Sequence, residues 1–176
     1  MNIIELLDKL PEYARDLRLN YTSMEQATEL TDTQKWGTLV ASAYGARNAV
    51  LAQAIAAEAA AHIAPEQVAA AKGAAAVMGM NNVFYRFQHL SSNEKYSTMP
   101  ARLRMNIIRN HGVDQLDFEL WCLAVSAING CGKCIDAHER VLRDKGISEE
   151  VILAAVRLAS VMNALAAVLD AENIAA

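Results

Sequence analysis

Proline and glycine are scarce in this sequence, with 3 and 8 residues in a chain of 176. Both interrupt helices, so their scarcity leaves long stretches that can be helical. Apolar residues, many of them alanine, make up 53% of the chain. This composition favours closely packed helices over a sheet sandwich. A chain of this length is expected to form a single domain, residues 1–176, with a sizeable buried core.

The sequence also lacks a basic cluster, and its net charge is −4. This argues against a nucleic-acid partner. The first residues show neither a basic segment before an apolar one nor a cleavage pattern, so we expect no secretory leader. Apolar runs of membrane-span length are all broken by a charged or polar residue. We therefore expect a cytoplasmic protein with no membrane partner.

Cysteine is equally scarce, since the chain holds Cys122, Cys131 and Cys134 alone. An odd, small number argues against a structural disulfide framework and for a reducing compartment. Cys131 and Cys134 lie in the segment NGCGKCIDAH, residues 129–138. Two thiols at this spacing form either a redox disulfide or half of a tetrahedral metal site.

The residues around the two thiols favour redox chemistry. Asn129-Gly130 ends an apolar run, so a new helix is predicted to open at Cys131. The free N–H groups and the dipole of a helix start favour a thiolate. Cys134 and His138 are four residues apart, on one face of that helix, where the imidazole can accept the thiol proton. Lys133 adds a positive charge as possible electrostatic support.

Structural zinc is the alternative for the same cysteines. It usually needs a second Cys/His pair, whereas His62, His89 and His111 are scattered singly. Lys133 between the thiols would also repel a cation. Cys122 lies in an apolar segment and is expected to be an inert core thiol. We therefore expect no metal and no bound cofactor.

Glu119 is a carboxylate inside an apolar predicted helix, Leu116–Ile128. A helix that is apolar nearly all round is buried, and a buried carboxylate needs a partner. Because this helix leads into the cysteine turn, His138 is one candidate partner, directly or through a water. A salt bridge to Arg102 or Arg104 is the other, and spacing alone does not separate the two.

Hydrophobic periodicity and capping signals predict helices along the whole chain. The predicted ranges are 3–10, 13–19, 31–43, 48–62, 66–87, 101–108, 116–128, 131–143 and 148–167. Residues 91–100 are polar and turn-forming, and we expect a mobile loop there.

The two halves of the sequence also resemble each other. A shift of 84 residues pairs Leu39 with Leu123, Ser42 with Ser126, Ile63 with Ile147, Glu66 with Glu150, Val77 with Val161 and Met78 with Met162. In this register Arg47 aligns with Cys131 and Val50 with Cys134. The predicted fold is therefore an all-α, single-domain helical bundle built from a duplicated helical unit.

Several longer segments are shared with a known family. They are LPEYA at 10–14, WGTL at 36–39, MGMNNVFYR at 78–86, LRMNII at 103–108, ELW at 119–121, AVSAINGCxxC at 124–134 and AHE at 137–139. Through them almost the whole chain resembles the alkyl hydroperoxide reductase D family, in the carboxymuconolactone decarboxylase-like superfamily. The resemblance implies an all-helical, homotrimeric thiol peroxidase. It also implies reduction by dihydrolipoamide on a lipoylated 2-oxoacid dehydrogenase subunit, and electron transfer to the peroxiredoxin alkyl hydroperoxide reductase C.

The resemblance also implies roles for individual residues. Cys134 matches the cysteine that becomes a sulfenic acid, and Cys131 its resolving, proton-donating partner. Glu119 and His138 match a proton relay. Lys133 departs from the pattern, because relatives often carry a histidine before the second cysteine, and a lysine does not shuttle protons readily near neutral pH.

Three functions are compatible with these features. The first is a thiol peroxidase acting on alkyl hydroperoxides. The second is a disulfide-reductase adaptor that passes electrons to the peroxiredoxin with little peroxidase activity of its own. The third is a thiol-independent, decarboxylase-like enzyme, which the superfamily fold alone would permit and the cysteine pair disfavours.

Overall fold

The computed structural model describes residues 2–174, and this range holds α-helices, short 3₁₀ turns and no strand. The helices are α1 (Ile3–Asp8), α2 (Arg15–Glu25), α3 (Asp32–Gly45), α4 (Ala49–Ala59), α5 (Pro65–Leu90), α6 (Lys95–Thr98), α7 (Gln115–Ile128), α8 (Gly132–Asp144) and α9 (Glu149–Ala171). The 3₁₀ turns are Glu12–Ala14 and Asn106–Ile108. The all-α prediction is confirmed.

Local capping signals place several helix ends as predicted. Thr31 accepts the N–H of Gln34 in a capping box that opens α3. Pro65 occupies the first turn of α5, where its missing N–H costs no intrahelical bond. Ser148 caps α9, and Gly146 follows α8 with a φ of 86°. These ends depend on a few adjacent residues, which is why the sequence predicts them.

The helix predicted over residues 101–108 is wrong in its first part. Arg102 has a φ of 52°, in the left-handed region, which an α-helix cannot contain. From Ala101 to Met105 the side chains alternate between half-buried and exposed, as in an extended segment. Helical geometry is limited to the 3₁₀ turn Asn106–Ile108. The predicted loop at 91–100 also contains the short helix α6.

The duplicated unit is visible as α3–α4–α5 followed by α7–α8–α9. The N-cap residues Thr31 and Asn48 correspond to Asp114 and Cys131, whereas Ala64 corresponds to Ser148. The offset is thus 83 residues at the first two helix starts and 84 at the third. The register predicted from the sequence is therefore wrong by one residue at the cysteines.

With this correction, Cys131 aligns with Asn48 rather than with Arg47. Arg47 instead aligns with Gly130, and both residues have a positive φ, 67° and 64°. The same kink therefore precedes α4 and α8. In the second copy a glycine adopts this conformation without the steric cost that a Cβ brings.

Helices α3, α5, α7 and α9 form the centre of the bundle and pack against one another. Trp121 of α7 is fully buried and lies directly against Gly37 of α3. A Cβ at Gly37 would overlap the Trp121 indole, so glycine is what allows these two helices to approach. The close α3–α7 contact fixes the helix that carries Glu119.

Helix α9 has the length and composition of a membrane span, with a mean hydropathy of 2.0 over its most apolar stretch. Arg157 interrupts that stretch. Ala155, Leu158, Met162 and Leu165 are buried in the bundle. Packing against α2, α3 and α7 accounts for the apolar character of this helix.

Candidate active site

The turn between α7 and α8 places both cysteines at the start of a helix. Cys131 is the N-cap residue of α8, and Cys134 lies in the first turn. The Cys131 side chain makes no capping hydrogen bond. The two residues form a disulfide with their Cα atoms 5.3 Å apart. Cys131 is fully buried and Cys134 is 6% exposed, so Cys134 is the more accessible of the two residues.

Neighbouring helices hold this turn in place through Asn129. Its Nδ2 donates to Asn82 Oδ1 on α5 at 3.0 Å, and its Oδ1 accepts from Arg47 at 3.1 Å. Arg86 donates to the Asn129 carbonyl oxygen. These contacts tie the cysteine turn to α5 and to the α3–α4 connection. The position of the disulfide is therefore set by tertiary contacts as well as by the local sequence.

Glu119 pairs with His138, with Oε2 2.6 Å from Nδ1. Glu119 is buried and His138 is mostly so. Arg102 and Arg104 are exposed, and within residues 2–174 neither forms an ion pair with Glu119. Of the two partners that the sequence left open, the structure places the imidazole next to the carboxylate.

The other imidazole nitrogen, Nε2 of His138, lies 3.4 Å from the sulfur of Met78. The same sulfur is 3.5 Å from Ser126 Oγ and 3.8 Å from Asn82 Nδ2. Met78 lies in the helix predicted over residues 66–87 and is buried, but the contact of its sulfur with the imidazole was not predicted from the sequence. The signal that could have found it is the pair of amides, Asn81 and Asn82, set into an apolar segment just after it.

A cavity of about 260 Å³ lies beside Cys134. It is lined by Met78, Asn81 and Tyr85 of α5, by Met105 and Ile108, and by Lys133, Cys134, Ala137 and His138 of α8. The surface of the cavity is mostly apolar, and Asn81, Lys133 and His138 add polar groups to it. The cavity can therefore hold an alkyl group with its polar end next to Cys134.

Lys133 is exposed at the rim of this cavity. Its Nζ lies 3.3 Å from Gln88 Oε1 and 5.4 Å from the centre of the Tyr85 ring. A cation over an aromatic face is a favourable contact. The positive charge thus stays near the dithiol but is anchored to α5.

The remaining residues singled out from the sequence lie in other environments. Cys122 is buried. Its burial, and to a smaller extent the nearby Glu119 charge, raises the pKa of its thiol well above the usual value. His62 stacks on Trp36, and His111 stacks on Phe118. Throughout the described part of the chain, no group of three or more His, Cys, Asp and Glu side chains is arranged to hold a metal ion.

Comparison with known proteins identifies the family to which this chain is related. The model of the carboxymuconolactone decarboxylase family matches residues 94–176. The protein called alkyl hydroperoxide reductase AhpD of Solibacter usitatus is 59% identical over 172 residues, covering 98% of this chain and 97% of that protein.

Two further relatives carry the same name. The one from Acidobacterium capsulatum is 60% identical over 175 residues, covering 99% of this chain and 96% of that protein. The one from Koribacter versatilis is 62% identical over 174 residues, covering 98% and 90%. This chain therefore belongs to the alkyl hydroperoxide reductase AhpD family.

Proposed function

We propose that the protein is a thiol peroxidase that reduces alkyl hydroperoxides through Cys131 and Cys134. The observation that carries the proposal is the position of Cys134. It lies in the first turn of α8 and lines a mostly apolar cavity. The hydrogen-bonded pair of Glu119 and His138 lies on the same side of the helix. A reactive sulfur, a proton acceptor and an apolar substrate cavity thus occur together.

The reaction begins with the reduced dithiol. The Cys134 thiolate attacks the distal oxygen of the hydroperoxide, so that an S–O bond forms and the O–O bond breaks. The alkoxide that leaves takes a proton from the Cys131 thiol and departs as an alcohol. The Cys134 sulfenic acid then condenses with the Cys131 thiolate to form the disulfide, and the hydroxide released takes up the proton that Cys134 gave to His138 and leaves as water.

Glu119 and His138 would generate the thiolate. The carboxylate accepts the Nδ1 hydrogen and orients the ring, which leaves Nε2 to accept the Cys134 proton. In the disulfide form Nε2 faces the sulfur of Met78 instead. Opening the disulfide frees the Cys134 side chain to rotate toward Nε2, directly or through a water. The helix start and the nearby Lys133 charge favour the resulting anion.

A dithiol must then reduce the disulfide by exchange. We propose dihydrolipoamide, carried on a lipoylated 2-oxoacid dehydrogenase subunit in the cytoplasm. Electron transfer to the peroxiredoxin alkyl hydroperoxide reductase C is part of the same proposal. The relatives' name, alkyl hydroperoxide reductase, supports the reaction class.

The proposal is tested by turnover of cumene hydroperoxide with reduced lipoamide, kept reduced by lipoamide dehydrogenase and NADH. We expect NADH consumption without any peroxiredoxin, and its loss in both Cys134→Ser and Cys131→Ser. Circular dichroism should show that both variants keep the helical fold. Consumption only after the peroxiredoxin is added would indicate the adaptor function instead. Unchanged consumption in both variants would indicate chemistry independent of the thiols.

We also propose a homotrimeric assembly. Three large apolar side chains of α5 are more than half exposed: Val83 at 56%, Phe87 at 53% and Leu90 at 72%. Met99 extends the same surface and is 57% exposed. A cluster of exposed apolar side chains usually marks a surface that contacts another molecule. This surface is where copies of the chain would meet.

A further inference from the structure

Asn81 is a buried amide in the wall of the cavity beside Cys134. It follows Met78 by three residues and precedes Tyr85 by four, so the three side chains share the face of α5 that borders the cavity. The residue is 4% exposed. Its Oδ1 has no hydrogen-bond partner among residues 2–174.

The adjacent residue, Asn82, has a side-chain amide whose nitrogen and oxygen are both hydrogen-bonded. Asn82 donates through Nδ2 to Ser126 at 2.9 Å and accepts through Oδ1 from Asn129 at 3.0 Å. Its role is to hold the cysteine turn. Asn81 has no such partner for its oxygen, although a buried amide oxygen without a hydrogen bond destabilises a fold. A structural role therefore does not account for it.

Other buried polar atoms also lack partners: Tyr21 OH, Thr38 Oγ1, Ser42 Oγ and Trp121 Nε1. None of their side chains lines the cavity beside Cys134. Asn81 is the member of this group that borders the place where a substrate would bind. Asn81 Oδ1 lacks a hydrogen-bond donor, and the O–H group of a hydroperoxide can be that donor.

We propose that Asn81 binds the –O–OH group of the substrate. This inference rests on the proposed peroxidase function and names the group that recognises the hydroperoxide. Rotation about the Asn81 χ2 angle, which is broad for asparagine, turns Oδ1 toward the cavity. Oδ1 then accepts the hydroperoxide O–H and directs the distal oxygen at the Cys134 sulfur.

The same amide can serve the leaving group. Its Nδ2 donates to the proximal oxygen, which becomes negative as the O–O bond breaks. The distal oxygen keeps its hydrogen as it moves to sulfur, so the bond to Oδ1 persists through the transfer. The alkoxide then takes the proton of the Cys131 thiol. Asn81 thereby favours the transition state without exchanging a proton itself.

Only one half of the catalytic cycle involves this amide. Reduction of the disulfide by a dithiol involves no peroxide group, so Asn81 should not affect it. Asn81→Leu keeps a similar volume and removes both hydrogen-bonding atoms. Thr38→Val is the matched control, because Thr38 Oγ1 is also buried without a partner but lies outside the cavity.

The two half-reactions are measured separately on purified protein. Reduced protein is mixed with cumene hydroperoxide and its free thiols are titrated after quenching; oxidised protein is mixed with dihydrolipoamide. For Asn81→Leu we expect oxidation slower by on the order of 100-fold, as for loss of one polar group that stabilises a transition state. Its disulfide reduction should be unchanged, and its melting temperature should be equal or higher. Thr38→Val should stay near wild type in both half-reactions.

Oxidation of Asn81→Leu at the wild-type rate would overturn the inference, and so would equal slowing of both half-reactions. Asn81→Ala is measured in the same way if Asn81→Leu does not fold. Failure of the proposed function has a separate signature. In that case the wild-type dithiol itself would react with the hydroperoxide no faster than free dithiothreitol.

Discussion

Glu119 shows, at the scale of single residues, what the sequence could and could not determine. Its burial was predictable, because it lies in a helix of apolar residues, and it is 8% exposed. Its partner was not, because spacing along the chain gives no distance to His138 or to the two arginines. The packing of α7 against α8 decides the matter by bringing Oε2 to within 2.6 Å of Nδ1.

Glu119→Gln should retain the fold and lose activity. Glutamine is nearly isosteric but carries no charge to orient and polarise His138. The rate of hydroperoxide reduction should fall on the order of 10²–10⁴-fold, the usual range for general acid–base contributions. Turnover and a thermal melt on the same sample measure this. A lowered melting temperature with near-normal turnover would make Glu119 a structural residue.

Met78 and Asn81 mark the limit of residue-level prediction. Both lie in a segment that reads as part of a core helix, and burial was the natural expectation. Their positions beside His138 and Cys134 follow from the way α5 crosses the start of α8. Sequence periodicity indicates which face of a helix is buried, but it does not indicate what that face meets.

At the scale of secondary-structure elements, the most informative comparison is between the starts of α4 and α8. Asn48 caps α4, accepting the Leu51 N–H at 2.8 Å and donating to Asp170 on α9 at 2.7 Å. Cys131 occupies the matching position of α8 and makes no such bond. The second copy of the unit therefore has a disulfide-bonded cysteine where the first has a structural cap.

Asn48→Ala should destabilise the protein, because it removes a cap worth about 0.5–2 kcal/mol and also the contact with Asp170. Cys131→Ala, measured under reducing conditions, is the matched variant and removes no capping bond. Urea unfolding of both variants and of the reduced wild type tests this contrast. Equal midpoints for Asn48→Ala and the wild type would mean that the cap contributes nothing to stability.

Elements set by local signals were predictable, and those set by tertiary contacts were not. The starts of α3, α5 and α9 follow from local capping signals, whereas α5 and α9 run to Leu90 and Ala171, beyond the predicted ends at 87 and 167. The segment 101–105 contains good helix formers, yet its backbone is not helical, and Met105 packs against the core. The single-residue change of register between the repeats also escaped detection, because four of the six matched pairs lie at the start of α5 and α9 or within them, where the offset is 84 residues.

The proposed assembly belongs to the scale of the whole molecule. Leu90→Glu places a charge on the most exposed side chain of the apolar surface of α5, so it should convert the proposed trimer to a monomer. Leu19→Glu is the matched control, since Leu19 is also about half exposed but lies on α2. Size-exclusion chromatography with light scattering gives the mass. A trimeric Leu90→Glu would exclude this surface, and a monomeric wild type would exclude the assembly.

Composition, hydrophobic periodicity and capping signals predicted the all-α fold class of the whole molecule, and the family resemblance covered almost the whole chain. Chemistry at the dithiol is the central claim that remains to be measured. The most direct measurement is to trap the sulfenic acid in reduced Cys131→Ser, where no resolving thiol can consume it. Protein treated with cumene hydroperoxide and then dimedone is digested and analysed by mass spectrometry. We predict a dimedone adduct on Cys134, with Cys122 unmodified. An unmodified Cys134 would contradict the account.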